Sequence, residues 1–286
     1  MNSKVFCAVA VVVALLLSTP VSAQLVGDAM AFAVVARGPG LAGTQWVTDL
    51  TIFNPMDYEV RAIAVFLPAN QDNTPSPLLA RPIVVGPGET LLLEDVLETT
   101  FDIADDAKGM MTLSVRSGDT PNPVGTVVHA VTRTYNTGGG GGTYGQTIRS
   151  EYVDCNVGWD VSLITGARND GSYRSNLGIA NMFFASRSRV HYRVLASDGA
   201  VIVEGSKVVK IQSMNQWSFD QLGVGVVEGP LSVELWLDPD DVLDDPCAAA
   251  LPQGFFAYVS KVDNLSGDAE FLPAVPRMPF ICELYE

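Results

Sequence analysis

The feature that most constrains the fold of this 286-residue chain is a set of strand-like segments that occurs twice. The stretch "WVTDLTIFNP" at Trp46–Pro55 has a degenerate copy, "YRSNLGIANM", at Tyr173–Met182. Two apolar positions and one asparagine keep a constant offset, as shown by the pairs Leu50/Leu177, Ile52/Ile179 and Asn54/Asn181. The chain therefore repeats a unit of about half its own length.

Four further segments follow in the same order in both halves. They pair "RAIAVFL" (61–67) with "RVHYRVL" (189–195), "LLLEDVL" (91–97) with "QWSFDQL" (216–222), "GMMTLSV" (109–115) with "GPLSVEL" (229–235), and "VVHAVTRTYN" (127–136) with "FFAYVSKVDN" (255–264). Apolar residues alternate within several segments, which is typical of half-buried strands. Length differences fall among turn residues, as expected when loops accept insertions and strands cannot slip. Chance similarity between strands is the alternative, and collinearity over five segments favours duplication.

These patterns predict an all-β fold of two tandem antiparallel immunoglobulin-like β-sandwich domains. A pair of small barrels is the alternative architecture. We place the first domain at residues 24–150, a polar linker at 151–160, and the second domain with a C-terminal tail at 161–286. A single helical turn is expected within residues 96–107, "VLETTFDIADDA".

Residues 1–23 have the pattern of a signal-peptide helix. One lysine precedes an apolar run from Val5 to Leu17, and Pro20 and small residues follow, so cleavage is expected after Ala23. A membrane anchor is the alternative, but the run is shorter than the roughly 18–20 residues that span a bilayer. We therefore expect a secreted, periplasmic or cell-surface protein without a membrane span after signal removal.

The formal net charge of the whole chain is −15. Such a field disfavours nucleic acid as a partner, because phosphate binding needs positive charge. Cations, cationic surfaces or simple solubility fit better. Three cysteines remain after signal removal, and an exported chain predicts one disulfide among them with the connectivity open. They are Cys155, Cys247 and Cys282, whose wide spacing does not fit a zinc motif.

The stretches "RGPGLAGTQWVTDLTIFNP", "VGPGETLLLEDVL" and "TRTYNTGGGGGTYGQ" resemble an uncharacterised β-sandwich repeat of exported bacterial proteins. The resemblance covers most of residues 34–150 and, more weakly, 161–276. It implies an extracellular, non-catalytic module without an assigned ligand, so no functional residues carry over. The second copy departs from it, with Tyr173 in place of the tryptophan and no "TYGQ".

The two-sandwich plan is also similar in outline to periplasmic pilus chaperones. That resemblance implies a basic pair in the interdomain cleft that holds a partner's C-terminal carboxylate. In the sequence alignment Arg133 and Lys261 occupy equivalent repeat positions, which argues against one shared cleft.

An acidic segment, "DPDDVLDDPC", is a candidate for structural Ca²⁺ binding, because clustered carboxylates supply hard oxygen ligands. Its carboxylates are Asp238, Asp240, Asp241, Asp244 and Asp245. The spacing does not match an EF-hand, and a solvated acidic loop is the alternative. No other cofactor is expected.

Four aromatic residues are candidates for ligand contact, because sugars stack on exposed rings. They are Trp46, Tyr135, Tyr144 and Trp217, for which packing within the framework is the alternative.

Catalytic signals are weak: His129 and His191 lie in predicted strands, and "GxSxG" is absent. The sequence thus predicts a non-enzymatic, exported binding or structural protein with a protein or glycan ligand. A carbohydrate-binding protein and a pilus-chaperone-like assembly factor are the alternatives.

Overall fold

The computed structural model describes residues 26–40, 43–74, 78–115, 121–139, 142–152, 161–182, 185–244 and 254–276. The fold is all-β and its sheets are antiparallel. The predicted signal peptide at residues 1–23 and the three candidate disulfide cysteines lie outside the described residues. Of the linker predicted at 151–160, residues 153–160 also lie outside them, whereas Glu151–Tyr152 form a short strand. Within the described ranges, no helix has the length and apolar character needed to cross a bilayer.

In the described part of the first half, ten strands form two sheets. They are β1 (Val26–Gly27), β2 (Ala29–Pro39), β3 (Gln45–Phe53), β4 (Val60–Pro68), β5 (Leu79–Val85), β6 (Thr90–Leu93), β7 (Ala107–Ser114), β8 (Val128–Gly139), β9 (Gly142–Arg149) and β10 (Glu151–Tyr152). Sheet 1 has the order β6-β3-β8-β9 with β1 beside β8, and sheet 2 has the order β5-β4-β7-β2-β10. The last two residues of β2 leave sheet 2 and pair with β3 of sheet 1.

Among the residues described in the second half, nine strands form two further sheets. They are β11 (Ser162–Asn169), β12 (Tyr173–Asn181), β13 (Ser188–Leu195), β14 (Val201–Val209), β15 (Ser213–Ser218), β16 (Val227–Trp236), β17 (Phe255–Asp263), β18 (Ala269–Pro273) and β19 (Val275–Pro276). Sheet 3 has the order β15-β12-β17-β18, and sheet 4 has the order β14-β13-β16-β11-β19. Strand by strand, these are the orders of sheets 1 and 2.

Each half also contains a short α-helix in the same place in the chain. Helix α1 (Val96–Thr99) follows β6, and helix α2 (Phe219–Leu222) follows β15. The helical turn expected within residues 96–107 is therefore present. Helix α2 begins at Ser218 with a capping box, in which the Ser218 side chain accepts from Gln221 N–H and the Gln221 side chain accepts from Ser218 N–H.

Apolar side chains form three clusters between the sheets. One lies between sheets 1 and 2 around Phe32, Leu50 and Phe66, and another lies between sheets 3 and 4 around Leu177 and Phe219. The third lies between sheet 2 and sheet 3, and we call it the seam. Its buried members are Ala31, Ala33, Val34, Leu67, Met110, Ile148, Ala180, Met182, Met214, Phe256 and Tyr258. The four sheets are thus stacked with apolar contacts between successive layers.

Strands next to the seam are buried on both faces. In β2 the side chains of Met30 and Phe32 enter the first core, whereas Ala31 and Ala33 enter the seam. Strand β17 behaves in the same way, with every residue from Phe255 to Ser260 buried. Burial on both faces explains why these strands read as continuous apolar runs and not as alternating ones.

Two buried asparagines donate side-chain hydrogen bonds to backbone carbonyl groups at corresponding places in the two halves. Asn54 Nδ2 donates to the carbonyl oxygens of Tyr58, Val85 and Gly86, at 2.8, 3.1 and 2.9 Å. Asn181 Nδ2 donates to the carbonyl oxygens of Ser186, Val209 and Lys210, at 2.9, 3.4 and 3.1 Å. Both amides tie the end of a central strand to the end of an edge strand in the facing sheet.

The pairing registers correct one part of the repeat alignment. Leu50 lies opposite Thr132, and Leu177 lies opposite Val259. Strand β17 is therefore equivalent to β8 with an offset one residue shorter than the sequence match suggested. The structural counterpart of Arg133 is Ser260, so the equivalence of Arg133 with Lys261 was wrong. The sequence match aligned Phe256 and Tyr258, which face the seam, with Val128 and Ala130, which face the first core. Both pairs are apolar, so the sequence does not reveal the one-residue error.

Gly178 permits a close contact within the seam. It is the cross-strand partner of Tyr258, whose fully buried ring occupies the space where a Cβ at residue 178 would lie. The ring also stacks on Phe271 at a centroid distance of 4.9 Å. A glycine in a strand interior is explained here by the aromatic ring that covers it.

We predict that Gly178→Ala lowers the free energy of unfolding by about 1–3 kcal/mol, because the added methyl group would overlap a ring that cannot move aside. Gly171→Ala is the matched control, since a Cβ there meets no atom within 4 Å, and its effect should stay within about 0.5 kcal/mol. Urea unfolding measures both. Equal stabilities of the two variants would contradict the packing described for the seam.

Candidate functional site

A cleft of about 630 Å³ opens beside the seam, between the two halves. The first half contributes the end of β2, the start of β7, Trp46 of β3, Thr134 of β8 and Gln146 of β9. The second half contributes Arg174 and Asn176 of β12, Gln216 of β15, and Ser260 and Val262 of β17. The volume falls within the roughly 300–1,000 Å³ that is common for ligand sites.

Lys108 is a cation of this cleft for which the described residues provide no ion pair. It lies on β7 on the same face as Met110, so its side chain points from sheet 2 towards sheet 3. Its Nζ donates to Gln216 Oε1 at 3.1 Å, and no described carboxylate lies within ion-pairing distance. Burial lowers the pKa of Lys108, with no charged neighbour acting against that change. A partly desolvated cation in a cleft, without a counter-charge, makes the cleft a candidate functional site.

Two arginines also line the cleft, in different electrostatic states. Arg37 is neutralised, because Nε donates to Asp95 at 3.0 Å and Nη2 pairs with Glu98. Arg174 donates to Asn264 Oδ1 at 2.9 Å and has no described carboxylate within ion-pairing distance. Burial lowers the pKa of Arg174, and the charge of Asp263 acts in the opposite direction.

The floor of the cleft is built from uncharged polar side chains. Ser260 Oγ donates to Gln146 Oε1 at 3.2 Å, which joins the two halves by a buried hydrogen bond. Asn176 lies directly opposite Ser260 in sheet 3, and Gln216 lies opposite Gly178. Among the described lining residues, Asp106 is the one carboxylate, and it is exposed.

The four aromatic candidates do not form a single surface. Trp46 and Tyr144 both lie level with Asn136 in sheet 1 and therefore project from one face of it. Trp46 is partly buried and lines the cleft, and Tyr144 is exposed. Tyr135 projects from the opposite face, where its hydroxyl donates to Asp49 Oδ1 at 3.2 Å. Trp217 packs against the core between sheets 3 and 4, with Lys207 Nζ 5.6 Å from its ring centroid.

Two of the five acidic-loop carboxylates lie in one cluster with His191. One ligand atom each from His191, Asp238 and Asp241 lies within 4.8 Å of the others. Buried Asp241 already accepts hydrogen bonds from His191 Nε2 at 2.9 Å, from Asp238 N–H at 3.1 Å and from Arg189 at 3.4 Å. These contacts account for the position of Asp241, which lies in the short 3-10 helix Pro239–Asp241 and closes its N-terminal capping box.

The remaining acidic residues are distributed differently. Asp244 accepts from both Nε and Nη2 of Arg187 and from the Arg187 backbone N–H. Asp240 is exposed, and Asp245 lies outside the described residues. Asp241 and Asp244 both accept hydrogen bonds from arginine, and calcium binding stays a prediction.

The two histidines lie apart from the cleft. His129 lies on β8 opposite Phe53. His191 stacks on Trp236 on the outer face of sheet 4, with a centroid distance of 5.4 Å and an interplanar angle of 14°. The histidine-carboxylate cluster at this face is therefore separate from the Lys108 side chain.

Sequence reasoning missed Lys108, Arg174 and the amides between them. One sequence pattern could have identified Lys108: it lies two residues before buried Met110, on the strand face where an apolar residue is expected. No sequence pattern identifies Arg174, because its place in the cleft depends on which sheet packs against its strand. The cleft forms only through contacts between residues that are far apart in sequence.

Comparisons with known proteins give no identity. No family model matches the chain, and no curated protein matches it. Among solved structures, the chain is similar to a glycosyl hydrolase family 2 member from Bacteroides cellulosilyticus DSM 14838, with 8% identity and a TM-score of 0.16. The match covers 85% of this chain and 28% of that enzyme. A likeness of this quality carries no argument about fold or activity.

We predict that Asp244 titrates with a pKa of about 2, below its ordinary value of 3.8, because Arg187 donates hydrogen bonds from its side chain and its backbone. The pair's contribution to stability is therefore complete above pH 3.8 and is lost as the pH falls through about 2. An NMR titration of the carboxyl carbon measures this value. Arg187→Met should move the midpoint upward, whereas a wild-type midpoint near 3.8 would contradict the pairing.

Proposed function

We propose that the protein is an exported, non-catalytic binding protein whose ligand site is the cleft between its two halves. The observation that carries the proposal is Lys108, a partly desolvated cation without a carboxylate partner among the described residues. Burying such a charge costs stability, and a fold has little structural reason to keep it. A ligand that supplies the missing partner gives a functional reason. Export is supported by the N-terminal sequence pattern.

We infer further that the halves are immunoglobulin-like sandwich domains produced by duplication. Matching strand orders in sheets 1 and 3, and in sheets 2 and 4, support this inference. The equivalent hydrogen bonds of Asn54 and Asn181 support it independently, because a buried amide with three carbonyl partners is a specific arrangement. The suspected bacterial repeat family stays a prediction.

A carbohydrate ligand fits the cleft better than a protein strand does. Trp46 offers an aromatic surface, and the neighbouring amides and hydroxyls can exchange hydrogen bonds with sugar hydroxyls. An assembly factor that adds a strand to its sheet needs a suitable edge. Strand β5, at the edge of sheet 2, carries Pro82 and lacks one backbone N–H for such pairing, whereas the edge strand β14 of sheet 4 has no proline but does not line the cleft.

The proposal is tested by glycan-array and polymer pull-down binding with the mature protein, with and without calcium. We predict that Trp46→Ala weakens binding of any retained glycan at least tenfold, because it removes the stacking surface of the cleft. Trp236→Ala is the matched control, since that ring lies on the outer face of sheet 4. Loss of binding in the Trp236 variant alone would place the ligand at sheet 4 and overturn the proposal.

A further inference from the structure

We propose that the cleft selects a sugar carrying a single carboxylate, such as one uronic acid residue in an otherwise neutral glycan, with the carboxylate held at Lys108 Nζ. This inference rests on the proposed function, because it names the ligand of the same cleft. It makes a narrower claim, which concerns the charge of the ligand and not only its place.

The environment of Lys108 defines the carboxylate position. Its Nζ has three N–H donors, and the described structure uses one of them, on Gln216 Oε1 at 3.1 Å. Gln216 also carries a side-chain N–H₂ group, so an anion placed beside Lys108 can receive a charged and a neutral hydrogen bond together. Charged hydrogen bonds in a partly water-excluded site are stronger than neutral ones.

Arg174 is not equivalent to Lys108, and the difference favours one anion over two. Arg174 lies near the negative charge of Asp263 and donates to Asn264 Oδ1, whereas Lys108 donates to the neutral Gln216 and has no described carboxylate within ion-pairing distance. Arg174 also lies four residues along β12 from Gly178, the strand partner of Gln216. Four residues of strand span about 13 Å, so the two cations mark opposite ends of the polar floor.

The charge of the whole protein also argues for a single carboxylate. With a net charge of −15, the chain repels a densely charged polyanion at long range. A ligand with one carboxylate gains the local attraction of Lys108 and suffers much less of that repulsion. Dense polyanions, including nucleic acid, are therefore poor candidates for this cleft.

The rest of the cleft favours a polyhydroxylated body attached to the carboxylate. Asn176, Ser260 and Gln146 lie between the two ends and carry neutral donors and acceptors. Trp46 pairs with Gly38 of β2, and Lys108 pairs with Ala36 of the same strand. Gly38 and Ala36 are two residues apart. Along β2, the position that pairs with Trp46 is therefore about 7 Å from the position that pairs with Lys108. A sugar ring next to the one held at Lys108 could reach the indole.

The test uses matched pairs of disaccharides with the mature full-length protein. Each pair contains a glucuronate, galacturonate or mannuronate unit and the same disaccharide with that carboxyl group reduced to the alcohol. Isothermal titration should give a dissociation constant at least tenfold lower for the acidic member of one pair, because a charged hydrogen bond to Lys108 is lost on reduction. Lys108→Met should abolish this difference.

Three controls separate the possible outcomes. Urea unfolding of Lys108→Met should show no loss of stability beyond the single hydrogen bond to Gln216, so lost discrimination will not reflect misfolding. Arg193→Met should retain the preference, because Arg193 lies on sheet 4 and pairs with Glu204 and Glu234. Peptides ending in a free carboxylate are titrated in parallel.

Each outcome decides one of the two claims. Equal binding of acidic and reduced members, with loss of both in Trp46→Ala, would overturn the carboxylate inference and leave the proposed function intact. Binding of peptides but no disaccharide would overturn the sugar inference. Acidic preference that survives Lys108→Met would place the carboxylate elsewhere. No binding of any sugar, peptide or arrayed glycan would count against the proposed function itself.

Discussion

The packing of sheet 2 against sheet 3 is the contact on which the rest of the structure depends. The seam buries Met110 and Tyr258 completely and adds hydrogen bonds between the halves, including Asn73 Nδ2 to the Gln212 carbonyl at 2.8 Å. Removing one large buried side chain from such a contact costs about 2–5 kcal/mol. The same contact brings Lys108 of the first half to Gln216 of the second. Without the seam, the proposed binding cleft would not exist.

The seam joins unlike surfaces. Sheet 2 of the first half meets sheet 3 of the second, whose counterpart in the first half is sheet 1. The halves therefore pack head to tail and not about a two-fold axis. Tyr258 faces the seam, whereas its structural counterpart Val131 lies on the outer side of sheet 1, opposite Thr51. The two halves therefore differ at a position where one half covers the other.

The all-β class followed from period-two alternation, and the helical turn at Val96–Thr99 was correctly expected within residues 96–107. Helix α2 at Phe219–Leu222 was not predicted, although its Ser218 cap and Gln221 form a recognisable capping box. Strands such as "MAFAVVA" and "FFAYV" are continuously apolar, a pattern that their burial on both faces explains but that was not interpreted in this way from the sequence. What they pack against could not be deduced, because tertiary contact between distant sheets leaves no local pattern.

The candidate site was predictable only in part for the same reason. Trp46 was identified as a possible ligand contact, and it does line the cleft. Tyr135 and Trp217 were grouped with it, but strand register sends the first to the opposite face of sheet 1 and the second into a core. Lys108 and Arg174 are more than sixty positions apart in the sequence, and the packing at the seam is what brings them into one cleft.

Differential scanning calorimetry of the mature protein tests the central role of the seam most directly. If sheets 2 and 3 are packed as described, the halves should unfold in one transition whose calorimetric and van't Hoff enthalpies agree. Tyr258→Ser, which removes the central ring of the seam, should lower the transition temperature and separate the two halves. Two resolved transitions in the wild-type protein would show that the halves unfold independently, and would contradict a cleft held in place by their contact.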